Sequence, residues 1–124
     1  DIVIVVTPEF PALKSVHAMR ELLDGSADPL AETSFILNQI FAREILRLRD
    51  IEEALGTKIA MTIPHDAFVF LKSVNEGVPV VIGAPRSAAA EQLNRLANRL
   101  SGIEVPEAAA ERRPKGLGAL FGRG

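Results

Sequence analysis

Residues 2–6 read IVIVV, five β-branched aliphatic side chains in a row with no polar residue between them. Successive side chains of a strand point to opposite faces, so a run apolar at every position needs cover on both. Sheets with one wet face alternate instead; unbroken runs of this kind belong to parallel sheets wrapped by helices. The run breaks at "TPEFP". Pro11 suits the first turn of a following helix, where its missing N–H costs little. Leu13, Val16, Met19, Leu22 and Leu23 then recur at helical spacing, and Gly25 marks the stop.

The same alternation repeats along the chain. After a loop, "SADPLAET", comes a second strand, "SFILNQI" (34–40). "RDIEEALG" reads as a short helix with Asp50 as N-cap, Glu53 as capping-box partner and Gly56 as stop. "KIAMTI" (58–63) is the third strand. Asp66 caps a helix carrying Phe70, Leu71 and Val74, which ends at Asn75-Glu76-Gly77. "VPVVIG" reads as extended. Ser87 caps a last long helix with Ala89, Leu93, Leu96, Ala97 and Leu100 on one face and Glu, Gln, Asn and Arg on the other.

Strand, helix, strand, helix, strand, helix predicts an α/β fold over residues 1–102: the C-terminal part of a mostly parallel sheet flanked by helices. From Ile103 the pattern fails. "IEVPEAAAERRPKGLGALFGRG" is rich in Pro, Gly and charge, and predicts a flexible tail over 103–124. The chain opens directly inside a strand, without an initiator methionine, so it is expected to be the C-terminal portion of something longer.

Composition narrows the chemistry. With 48% apolar residues in 124 the chain can build one core. A net charge of −2 argues against a general nucleic-acid coat. No cysteine is present, which excludes disulfides, thiolate catalysis and zinc–cysteine sites. His17 and His65 lie too far apart for a metal-ligand spacing, and His17 is expected to be exposed rather than catalytic. No apolar run approaches the roughly 20 residues that span a bilayer, and no signal peptide is visible, so the cytoplasm is the expected location. Arg43, Arg47, Arg49 and Lys58 make a local basic patch, but Glu44, Asp50, Glu52 and Glu53 are interleaved with them. A solvated, balanced surface is expected there, and a nucleic-acid partner is not.

In open α/β sheets ligands bind beyond the carboxyl ends of the strands. Those ends read Thr7-Pro8-Glu9, Asn38-Gln39 and Pro64-His65-Asp66. An asparagine leaving a buried strand offers one acceptor and an amide donor, which match the ring edge of a purine. The proline after the next strand can present backbone groups to the same ring. The same residues also serve simply as a strand end and a helix cap.

Five segments, "DIVIVVTPEFPALKSVHAMRELLD", "ILNQI", "IPHD", "NEGVPVV" and "PRSAAAEQLNRLANRLSG", resemble in order the C-terminal half of the MinD/ParA family. These are deviant Walker-A P-loop ATPases that position division machinery, chromosomes or secretion systems. The resemblance covers about residues 1–102, and "NEGVPVVIGAPRSAAA" looks closest to the CpaE/TadZ branch of Flp (Tad) pilus assembly. It implies ATP as ligand, with Asn38 as the adenine-contacting asparagine and Pro64, His65 and Asp66 beside the base. It also implies a homodimer of the full-length protein and pilus or secretion machinery as partner.

The phosphate side of such a site is missing. A P-loop needs Gly-x-x-x-x-Gly-Lys-Ser/Thr, and neither "IGAPRSA" nor "PKGLGAL" has that spacing. No segment for magnesium is visible, so any magnesium would be held by a missing N-terminal half. No catalytic residue is assigned, and the chain alone is not expected to hydrolyse ATP.

The terminal "RRPKGLGALFGRG" sets Leu117, Leu120 and Phe121 among four cations and no acid. It looks like the membrane-targeting ends of MinD-type proteins, and would make a weak contact with an anionic membrane, at its inner face or a cell pole. A disordered basic tail fits the same residues. Two classes of function follow: half of a nucleotide-switch ATPase, or a non-enzymatic localisation scaffold derived from one.

Overall fold

The computed structural model describes residues 1–25 and 32–102. Strands β1 (Ile2–Val6), β2 (Thr33–Asn38) and β3 (Met61–Ile63) form a parallel sheet in the order β1-β2-β3. Val6 pairs in register with Leu37, and Asn38 with Ile63. The central strand shows what the apolar runs imply: Phe35, Ile36 and Leu37 are buried in succession, which demands cover on both faces.

Helices α1 (Phe10–Asp24) and α2 (Leu48–Leu55) supply one cover. Their Leu13, Val16, Ile51 and Leu55 close over Ile4, Val6, Phe35 and Leu37. On the other face α3 (Ala67–Glu76), α4 (Val80–Gly83) and α5 (Ala88–Leu100) meet the sheet. There Val80, Ala89 and Ala90 pack on Ile36 and Ile63. The alanines are small enough to bring the α5 backbone down onto the strands.

Two caps form as the sequence indicates. Asp66 Oδ1 accepts from the Val69 N–H at 3.1 Å, and Ser87 Oγ accepts from the Ala90 N–H at 3.2 Å. The α2 start differs from expectation. Its N-cap is Arg47, with no side-chain cap, and Asp50 lies inside the first turn. Asp50 donates its own N–H to the Arg47 carbonyl (3.0 Å), and Glu53 closes no capping box. Starting at Leu48 gives Ile51 and Leu55 a full turn each against the core, and their complete burial outweighs the roughly 1 kcal/mol of a good cap.

The strands are also trimmed. β2 stops at Asn38, short of Ile40, and β3 begins at Met61 instead of Lys58. Glu52 of α2 takes the Ile59 N–H (3.0 Å) and the Lys58 ammonium (2.8 Å), which holds those two residues off the ladder.

"VPVVIG" is not extended: its core forms the single helical turn α4. The Pro79 carbonyl accepts from the N–H groups of Ile82 and Gly83, each at 2.9 Å. A strand here would need a ladder partner, and no described strand pairs with it. The turn satisfies its own amides while still burying Val80, so tertiary packing overrides β propensity.

Burial on the helices is narrower than their apolar spacing. Met19 and Leu22 of α1, Leu71 and Val74 of α3, and Ala97 and Leu100 of α5 are exposed. β1 is an edge strand, and its Val5 is 59% exposed on the α5 side of the sheet. The expected tail, 103–124, lies outside the described residues.

Candidate functional site

Register decides what meets at the top of the sheet. Because Val6 pairs with Leu37 and Asn38 with Ile63, the next row out is Thr7, Asn38 and Ile63, at strand spacing of about 4.8 Å, and Pro64 follows one residue beyond. Asn38 ends the most buried strand, which fixes its backbone. One more rung follows, from the Gln39 N–H to the Ile63 carbonyl at 3.0 Å, and ties the Asn38 tip to the Pro64 turn. The Asn38 amide is half-buried and has no hydrogen-bond partner among the described residues.

The four residues singled out in the sequence have different standing here. The register sets Asn38 against Ile63, one residue before Pro64. His65 follows Pro64 and is exposed. Asp66 has one carboxylate oxygen engaged as the α3 cap, which anchors that helix to the Pro64 turn. Leu117, Leu120 and Phe121 lie outside the described residues.

Such an edge can hold a flat heteroaromatic ring against an amide and a proline-fixed backbone. Among the described residues no group of three or more His, Asp or Glu side chains could hold a metal. His17 sits half-buried on α1, less exposed than expected, with Nε2 3.6 Å from Glu21 and a buried Nδ1 that has no partner among the described residues. The surface grooves lie elsewhere. One is lined by Arg49, Glu52, Glu53, Gly56, Thr57 and Lys58 at the far end of α2, and another lies between α3 and α4.

Two contacts, one at this edge and one at the far end of α2, escape a reading of the sequence. The Thr7 hydroxyl donates to Glu9 Oε2 at 3.0 Å, holding a carboxylate at the strand tip next to Asn38. Arg20 donates to the carbonyls of Leu55 (2.9 Å) and Gly56 (2.6 Å), closing the C-terminal end of α2 onto α1, and lies 3.3 Å from Asp24. The signal was there: Arg20 falls four residues after Val16, on the buried side of its helix.

Known proteins share this fold. No protein-family model matches the chain. A protein described as septum site-determining MinD from Mesostigma viride is 29% identical over 105 residues, which is 81% of this chain and 36% of that protein. A ParA family ATPase from Chlorobium tepidum TLS has a crystal structure that superposes with a TM-score of 0.70 at 25% identity, over 78% of this chain and 40% of that one. The MinD cell division protein of Aquifex aeolicus superposes at 0.68, also at 25% identity, over 84% of this chain and 44% of its own. The chain thus has MinD proteins and ParA family ATPases as homologues across about four fifths of its length, and spans well under half of theirs.

Proposed function

We propose that this chain supplies the base-binding side of the ATP site in a MinD/ParA-type P-loop ATPase that positions cellular machinery. The observation that carries the reading is the register of Asn38 with Ile63, which sets an amide unpartnered among the described residues one residue short of the Pro64 turn at the carboxyl edge of the sheet. Asn38 reads the adenine edge, Pro64 and His65 line the ring, and Asp66 holds the turn through α3. The phosphates and magnesium belong to a P-loop outside these 124 residues. The bare flank of β1 at Val5 is where further sheet and helix would continue. The complete protein acts as a homodimer in the cytoplasm, with Leu117, Leu120 and Phe121 touching an anionic membrane surface weakly.

Calorimetry of ATP binding to the whole natural protein tests the site. Asn38→Ala should weaken binding by about 1–3 kcal/mol, the cost of leaving polar partners unpaired. Equal affinity in variant and parent removes Asn38 from the site. The 124-residue chain alone should release no phosphate from ATP above blank, and magnesium-dependent turnover by it would sink the half-site reading.

Two finer readings have their own support. "NEGVPVVIGAPRSAAA" favours the CpaE/TadZ branch and Flp/Tad pilus assembly, whereas the names of the relatives found point to septum placement. Deleting the gene and scoring pili and septum position separates the two. A scaffold that has lost hydrolysis would keep the fold and show no ATP turnover in the whole protein.

A further inference from the structure

We draw no further inference here: the strongest candidate, the exposed apolar ridge of Phe68, Leu71 and Val74 along α3 beside the α3–α4 groove, belongs to a chain that spans well under half of its relatives, and nothing in the structure shows what covers it.

Discussion

The two faces of the sheet are finished to different degrees. Under α1 and α2, eight buried aliphatic and aromatic side chains close on one another, and Arg20 clamps one helix to the end of the other. Under α3, α4 and α5 the buried set is smaller and leans on two alanines, while Val5, Phe68, Leu71, Val74 and Ile82 remain in water. The first face closes the larger core, although Phe10 and Leu22 of α1 also stand exposed. The second sets α5 close on the strands and leaves apolar surface for other contacts. Stability should therefore reside mainly in the first face, and contact mainly in the second.

The largest expected effect breaks that division directly. Ile51 and Leu55 are 0% exposed, and truncating either to alanine leaves a cavity in the α1–α2 core. Each should cost about 2–5 kcal/mol in denaturant unfolding. Phe68→Ala removes more atoms from the other face but should change stability by no more than about 0.5 kcal/mol, because those atoms are already solvated. Comparable losses at Leu55 and Phe68 would mean that α3 is covered in the free protein, and the contrast would fall.

A matched pair of glycines sharpens it further. Gly56 ends α2 and Gly77 ends α3, with φ of 66° and 65°. Alanine at either site incurs the left-handed backbone penalty of about 1–2 kcal/mol. Only at Gly56 does a Cβ collide with something, the Arg20 guanidinium that holds the α2 carbonyls. At Gly77 no heavy atom lies within 4 Å of the new methyl. Thermal unfolding should therefore show Gly56→Ala as the more damaging of the two by roughly 1 kcal/mol, the value of a hydrogen bond displaced. Equal losses would mean that the Arg20 clamp contributes nothing.

Helix starts give a smaller contrast. Asp66 caps α3 through the Val69 N–H, so Asp66→Ala should cost about 1 kcal/mol. Arg47 occupies the same position on α2 without a side-chain cap, and Arg47→Ala should cost a few tenths of a kcal/mol at most, the worth of its exposed pair with Asp50 at 3.8 Å. Urea midpoints of both variants check the difference.

What the sequence makes legible follows the same division. The strand runs, Pro11, Asp66, Ser87 and the glycine stops are local signals, set by backbone geometry within a few residues, and the structure uses each of them. The α/β layout follows from their order. Asn38 and Pro64 could be named as strand ends, but their adjacency depends on register, which only pairing fixes. Non-local competition accounts for the misreadings. Burial of Ile51 and Leu55 moved the start of α2 off Asp50, and the lack of a ladder partner turned "VPVVIG" into a helical turn. Helical periodicity marked Leu22 and Val74 as core because it records which face is apolar, not whether anything lies against it.

The smallest effect concerns the clip at the far end of α2. The Lys58 ammonium bonds Glu52 Oε2 at 2.8 Å and the Ile59 N–H bonds Oε1 at 3.0 Å, and together they hold the Glu52 carboxyl below its ordinary value. A carboxylate whose pKa is lower folded than unfolded stabilises the fold fully above the unfolded value, about 4.3, and loses that contribution as pH falls through the folded one. The gap in urea midpoint between parent and Glu52→Gln should thus be constant from pH 7 down to about 5 and narrow below pH 4. Lys58→Met removes the larger cause and leaves the Ile59 amide, so the gap should then be smaller and the narrowing complete at higher pH. Parallel profiles for parent and Glu52→Gln down to pH 3 would show that the clip only shapes the entry to β3. The closure of the first face would then rest on its buried apolar set and the Arg20 clamp, with no part from this carboxylate.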